Sequence, residues 1–369
     1  MLTGAPLSRF RKNLLAWFVE FRRDLPWRRT RDPYRIWLSE IMLQQTRVAA
    51  AIPYYLRFLE RFPSFEALAQ APQEEVLRLW SGLGYYSRAR NLQKAAQEIV
   101  AKHNGVFPSQ PAEALALPGI GPYTAAAILS IAYQKKLAVL DGNVARVMAR
   151  LNAIRGDLRA NDTWQKLQKS ADHLLDGQSP GDWNQAMMEL GATLCTPRSP
   201  QCLLCPVSEF CEARKKGLTD EIPAKRTKRS TVEIILASLV LVDRHGKTLL
   251  LAPPKPARKT TAADDVHTLV SRMWHFPTVA VRQGQAAELL RKFAEESFFG
   301  GRKFRAELFP LKKVRHAVTY RSITIFPFRA EVEKFPRVSG AKALPLADLS
   351  TVAISNLTRK VARAALAQN

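Results

Sequence analysis

The sequence predicts a two-domain protein, an all-α N-terminal domain closed by a metal-binding cysteine loop and a smaller α+β domain after it. Three observations carry this reading. Apolar residues recur at helical spacing through about residue 222. Beyond a charged linker at 223–230, Pro-Ala-Lys-Arg-Thr-Lys-Arg-Ser, the pattern turns strand-like. All four cysteines, Cys195, Cys202, Cys205 and Cys211, fall within one 17-residue stretch. A chain of 369 residues has room for two domains, and 47% apolar with 24% charged residues is the profile of a folded chain.

Helical periodicity is clearest in Leu14–Phe21, Ile36–Ala50, Ile52–Phe62, Val76–Trp80, Leu92–Val100, Thr124–Ala132 and Val144–Leu151. Pro and Gly punctuate these runs at Pro53, Pro63, Gly105, Pro108 and Pro118–Gly121. In the second domain Thr231–Val242 is β-rich, Lys247–Leu251 fits its hairpin partner, and Ser322–Phe328 alternates as a strand. Gln285–Phe298 and Ile354–Leu366 read as helices.

Lys and Arg number 56 against 32 Asp and Glu, a net charge of +24. The second domain, from Pro223 onward, holds 27 basic and 11 acidic residues, a net +16. Such an excess points to a polyanion, most often nucleic acid. A spanning helix needs roughly 18 apolar residues, and Ile234–Val242 falls far short. The N-terminus lacks a small-residue cleavage site, so it does not read as a signal peptide. No membrane role is expected.

The cysteines are spaced C-x6-C-x2-C-x5-C. Zinc ribbons show two separated C-x2-C knuckles, and here there is one. Four thiolates in one loop suit a [4Fe-4S] cube, each iron taking one sulfur. A zinc site and metal-free thiols are the alternatives. The intervening Thr196-Pro-Arg-Ser-Pro200 is basic and stiffened by proline, suited to meeting a phosphate.

Four further windows carry chemistry. Leu117-Pro-Gly-Ile-Gly-Pro-Tyr-Thr124 is a glycine turn opening a helix. Gly119 and Gly121 let backbone amides approach an anion, and the helix dipole assists. A plain helix–helix turn has the same composition. Trp37–Thr46 reads as a helix with Glu40 in its first turn and Ser39 as its cap. A first-turn glutamate serves equally as a dipole-satisfying surface group. Gln44-Gln45-Thr46 places amides in an otherwise apolar helix, where base edges are suitable partners. Asp141 follows an apolar run and precedes a helix, an N-cap position. Gly82-Leu-Gly-Tyr-Tyr-Ser-Arg88 combines a flexible turn with aromatics fit to wedge into a base stack, although paired tyrosines are more often core.

In this order, Glu40, the helix-hairpin-helix, Asp141 and the cysteines resemble the iron–sulfur helix-hairpin-helix DNA glycosylases. Within them the chain is similar to the adenine DNA glycosylases of the MutY type. Leu25-Pro-Trp-Arg-Arg, Leu43-Gln-Gln-Thr, Gly82–Ser87, Asp141-Gly-Asn and Asn184–Gly191 carry the likeness. It implies a glycosylase domain over 1–222, with a six-helix lobe at about 28–135 and an iron–sulfur lobe from 1–27 and 136–222. It further implies one [4Fe-4S] cluster and removal of adenine opposite 8-oxoguanine or guanine by hydrolysis, leaving an abasic site. Glu40 is then the acid and Asp141 the carboxylate that stabilises an oxocarbenium-like sugar, with Asn143 and Tyr123 supporting. Arg28 and Gln185 match adenine-pocket positions, and Leu43, Gln45 and Tyr85 match positions that fill the hole and contact the opposite base. Endonuclease III-type relatives carry a Schiff-base lysine where this chain has Tyr123, so base removal by water alone is expected. The resemblance also implies duplex DNA holding A opposite 8-oxoguanine as partner, a monomer, and a bacterial, nucleoid-associated cytoplasmic location.

The second domain, over 231–369, resembles the family's Nudix-like lesion reader, with Trp274-His-Phe-Pro277 fitting its aromatic–Phe-Pro turn. Of a Glu-rich metal box it keeps Arg291, Glu295 and Glu296. Lys292, Pro277 and Gln283 replace the rest, so no pyrophosphatase is read. The reader loop's Phe, Ser and His become Val318, Thr319 and Tyr320; His316 reads as structural. An endonuclease III-like enzyme for oxidised pyrimidines and a non-catalytic iron–sulfur DNA sensor are the rivals. Tyr123 argues against the first, and the pairing of Glu40 with Asp141 against the second.

Overall fold

The computed structural model describes residues 2–224, 230–253, 273–282, 284–318 and 320–367. Contacts divide it into two compact units, Met1–Gln70 with Asn91–Thr227, and Ala71–Arg90 with Lys228–Asn369. Residues 71–90, expected within the helical domain, cluster by their contacts with the second unit.

The first unit is helical, as its periodicity indicates. Its elements are α1 (Gly4–Phe21), α2 (Pro33–Leu43), α3 (Val48–Arg61), α4 (Phe65–Gln70), most of α6 (Ser87–His103), α7 (Pro111–Ala116), α8 (Pro122–Tyr133), α9 (Gly142–Leu151), α10 (Asn161–Leu174), α11 (Pro180–Thr193) and the short α12 (Glu212–Lys215). Between α4 and α6, α5 (Gln73–Trp80) belongs to the other unit. Helix α8 is apolar on every side and buried from Thr124 to Ile131, so it forms the unit's axis, packed by α2 and α11. Phe10 stacks edge-on to Phe210 at 5.5 Å and tilts against Trp183 at 5.8 Å, tying α1 to α11 and the cysteine loop.

Two helix boundaries differ from expectation. Helix α2 starts at Pro33, not near Ser39. Asp32 accepts from Arg35 N at 3.1 Å and Pro33 takes the first turn, where its missing N–H costs nothing. Glu40 therefore sits deep in the helix, and the Ser39 hydroxyl donates to Ile36 O at 2.8 Å instead of capping. The run Ile36–Ala50 is also not continuous. It breaks after Leu43, and Gln45 adopts a left-handed φ of 56°. Gln44, Gln45 and Thr46 thus lie in a connection between helices. Pro53, taken as punctuation, lies inside α3.

The second unit is α+β. Strands β1 (Val232–Asp243), β2 (Lys247–Leu251), β3 (Thr278–Ala280), β4 (Phe309–Pro310), β5 (Val314–Val318), β6 (Arg321–Val332) and β7 (Ala341–Pro345) form one sheet among the described residues. Its path is β4-β6-β1-β2-β7, with β3 on β1 and β5 on β6. The central β1–β6 pair is parallel from Val232↔Arg321 to Asp243↔Val332. Both faces of β1 are covered, which is why its sequence is a nearly unbroken apolar run. Helices α13 (Ala286–Phe298) and α14 (Asn356–Leu366) pack on the sheet. Arg291 Nη1 donates to Phe304 O, and Glu295 accepts from Phe304 N at 2.9 Å. Both residues thus brace the loop after α13.

Candidate active site and cysteine loop

A cavity of about 500 Å³ opens in the first unit between α2, α8, the start of α9 and α11. Its lining includes Glu40, Tyr123, Asp141, Asn143, Arg28, Gln185, Leu43 and Gln45, eight of the sites read from sequence. Neither Tyr85, Gly119, Gly121, Tyr320 nor any cysteine lines it.

Glu40 is buried, and Tyr123 Oη donates to its Oε2 at 2.8 Å while also lying 3.1 Å from Met188 Sδ. Burial pushes the Glu40 carboxyl up to about 7; the Tyr123 hydrogen bond opposes this and the nearby Asp141 charge adds to it. Asp141 caps α9. Its Oδ1 accepts from Asn143 N at 2.9 Å and Val144 N at 2.7 Å, and its Oδ2 from Asn143 Nδ2 at 3.3 Å. The expected N-cap at Asp141 is present, and the same residue lines the cavity. Burial raises its pKa as well, against the pull of those amides and Arg146. Glu40 and Asp141 thus share one cavity with different partners, a phenol for the first and backbone amides for the second.

Asn143 is held in turn by Arg146, whose Nη2 donates to Asn143 Oδ1 at 3.0 Å and Gly191 O at 2.8 Å. Gly191 is required here, because a Cβ would lie 2.9 Å from that of Asn143. Along α11, Gln185, Met188 and Glu189 face the cavity, while Asn184 turns to Val139 N, Ser130 and Leu137.

Glu189 was not singled out from sequence. It is buried, accepts from Arg23 Nε at 2.8 Å and Nη2 at 2.6 Å, and from Arg28 Nη2 at 2.7 Å. Burial alone pushes it up, but Arg23 and then Arg28 outweigh this and hold it at about 2. Arg28 is thereby fixed against the cavity wall. Sequence carries little signal for it, since α11 holds a second acid, Asp182, and the partner arginines lie more than 160 positions away.

The glycine turn joins α7 to α8. Gly119 has φ 80°, and a Cβ there would meet that of Asn91 at 2.9 Å; Gly121 caps α8, with nothing within 4 Å of a Cβ. The four cysteines line a second, small cavity with Arg150 and Val207. Arg150 Nη1 donates to Cys195 Sγ at 3.3 Å and to Thr196 O at 2.7 Å, and its Nε to Ile222 O at 2.8 Å. Burial raises the Cys205 thiol to about 12, with the Val207 amide opposing. Four soft donors around one space, with N–H groups aimed at sulfur, fit an iron–sulfur group, whose positive irons reverse that upward shift.

In the second unit His316 lies mid-strand in β5, paired with Ile323. Val318 ends that strand, and Tyr320 follows with its carbonyl accepting from Val232 N at 2.9 Å and Arg321 5.2 Å over its ring. Thr319 and Gln283 lie outside the described residues.

The helical hairpin, the cavity holding Glu40 and Asp141, and the cysteine loop define a base-excision DNA repair protein. Residues 38–173 match the model of the HhH-GPD superfamily base excision DNA repair protein, and 195–211 that of the iron-sulfur binding domain of endonuclease III. The chain is 34% identical to the adenine DNA glycosylase of Homo sapiens over 97% of its own length and 74% of that protein. It belongs to the adenine DNA glycosylase family. The Rattus norvegicus adenine DNA glycosylase is 47% identical over 58% of this chain and 43% of its own. Among solved structures, a thermostable thymine-DNA glycosylase superposes with a TM-score of 0.53 at 32% identity, covering 57% of this chain and 97% of that one.

Proposed function

We propose that the chain removes adenine opposite 8-oxoguanine or guanine by hydrolysis of the N-glycosidic bond, leaving an abasic site in an unbroken strand. The observation that carries this reading is the buried Glu40, with a pKa near 7, in one cavity with a second, amide-bound carboxyl. Neutral adenine leaves poorly, and an acid poised near working pH is the efficient donor to N7. The target nucleotide must be flipped out of the duplex to reach it. Tyr123 occupies Glu40 Oε2, so the transferable proton is held at Oε1. As the bond breaks, Asp141 faces the cationic sugar in its ionised form, held by Asn143 N and Val144 N. Arg28, fixed by Glu189, and Gln185 offer donors and an acceptor to the purine edge. Among residues lining the cavity there is no lysine to form a Schiff base.

Cys195, Cys202, Cys205 and Cys211 hold one [4Fe-4S] cluster in this reading. Bound there, the cluster would tie the four cysteine thiolates together through its irons and so fix the basic loop in place; the hydrolysis runs on the side chains above. Gly119 and Gly121 present amides to a phosphate, and Leu43, Gln45, Tyr85 and Tyr320 contact the duplex.

The test is a single-turnover assay on duplexes with A opposite 8-oxoguanine, developed with and without alkali. Alkali-dependent breakage at the adenine, and no borohydride-trapped adduct, is the expected result. Cleavage keeping pace with base release would favour the endonuclease III-like reading. Iron with sulfide in the anaerobically purified chain is expected; zinc alone would remove the cluster.

A further inference from the structure

The turn that follows α5 is held from outside its own helices. Ser81 Oγ donates to Ile354 O at 2.7 Å, Arg359 Nη2 donates to Ser81 Oγ at 2.8 Å, and Asn356 Nδ2 donates to Gly82 O at 3.0 Å. Tyr86 Oη accepts from Gly82 N at 3.2 Å and reaches Ile354 O at 3.5 Å. At the other end of α5, Glu74 accepts from Trp274 Nε1 at 2.9 Å and pairs with Lys342 Nζ at 3.6 Å. Asn356 and Arg359 lie in the first turns of α14 and Lys342 in β7, while Ile354, just before α14, pairs with Trp274 in an isolated parallel bridge. The C-terminal domain thus grips α5 before and after.

Inside the turn the polar groups point inward. Gly84 O accepts from Trp80 Nε1 and Arg88 Nη2, each at 3.1 Å. The Arg88 guanidinium lies 5.3 Å over Trp80 and 5.5 Å over Tyr85. Tyr85 itself has φ 49°, a left-handed conformation an aromatic residue adopts only under constraint, and is 40% exposed. The turn is therefore built to push one ring outward from a fixed base.

We propose that Ser81, Asn356 and Arg359 are positioning residues through which the C-terminal domain holds Tyr85 in place for insertion into the duplex. This rests on the reading of Tyr85 as a DNA contact. It gives the second domain a part in mismatch recognition that does not run through its own DNA-facing surface.

The experiment uses the full chain and a duplex carrying 2-aminopurine beside the 8-oxoguanine, whose fluorescence reports a ring inserted next to it. Asn356→Ala and Ser81→Ala should each lose most of the fluorescence change and weaken the duplex Kd by about five- to tenfold, the range expected when one stacking side chain is lost. Ser81→Thr keeps the hydroxyl and should retain the signal. On a Tyr85→Ala background, Asn356→Ala should add less than about twofold. A normal Asn356→Ala beside a defective Tyr85→Ala overturns the clamp alone, as does an Asn356→Ala effect that persists in full on that background. Normal binding by Tyr85→Ala overturns the DNA-contact reading beneath it.

Discussion

In the proposed mechanism Glu40 sets stability against activity. Folding raises its pKa from the ordinary carboxylate range to about 7, so the folded chain holds this proton more tightly than the unfolded one. Its contribution is fully present below the unfolded value and is lost as pH rises through about 7. Glu40→Gln removes the ionisation while its amide oxygen still accepts from Tyr123. The variant should lose excision by at least about 100-fold. It should nevertheless melt higher than the parent at about pH 8, by about 2–4 °C for each kcal/mol released, and near the parent at about pH 5. A lower melting point at the higher pH would contradict the buried acid. In the parent, the single-turnover rate should fall as pH rises through about 7, and again in acid as Asp141 takes up its proton. A flat profile would assign the proton to another group. At Asp141 the two roles separate by substitution. Asn keeps a side-chain oxygen for the amides of Asn143 and Val144, whereas Ala leaves them bare at about 1 kcal/mol. Both variants should be inactive, and only the alanine form should unfold earlier in urea.

The helices were legible because their apolar spacing is regular, and their ends were less so. Asp32-Pro33 starts α2, yet the stronger local pattern lies at Trp37–Ser39 and drew the boundary there. The break after Leu43 leaves no glycine or proline as a marker; it is made by Gln45 in a left-handed conformation that only the folded surroundings enforce. Strands β1 and β6 showed through as long apolar or alternating runs. Strands β4 and β7 did not, since both are short and largely exposed and so carry no alternation. Of the site, both carboxyls and the cysteines could be read in sequence, whereas Glu189 could not, because its role comes from two arginines more than 160 positions away. The contact of α11 with the start of α9 gives a sharp test. Gly191→Ala puts a methyl 2.9 Å from Asn143 Cβ and about 3.1 Å from its carbonyl. It should destabilise by about 1–3 kcal/mol and slow excision, since Asn143 positions Asp141. Equal melting and rate to the parent would mean the helices separate freely.

Charge and domain division act together in the complete chain. The residues from Pro223 onward carry +16 of the +24. Their removal should flatten the dependence of log Kd on log salt, since fewer counterions are released. A chain ending near Ala224 also strips Ser81, Gly82 and Glu74 of their partners on α14 and the sheet. Truncation should therefore weaken discrimination between 8-oxoguanine and guanine beyond the electrostatic loss, seen as a lower rate ratio at one fixed salt concentration. An unchanged ratio would confine lesion reading to residues 1–224, Gln45 and Tyr85 among them.

The cavity around Glu40 has one more consequence. A duplex seated over its mouth displaces water and moves the carboxyl further toward its neutral form. Complex formation at about pH 7.5 should then draw protons from the medium. Titration calorimetry in phosphate and in Tris, whose ionisation heats differ, would expose this as a buffer-dependent binding enthalpy. The dependence should vanish in Glu40→Gln. The enzyme would in that sense be charged with its reagent by the act of docking, and mildly alkaline surroundings would slow its search for lesions as well as its chemistry.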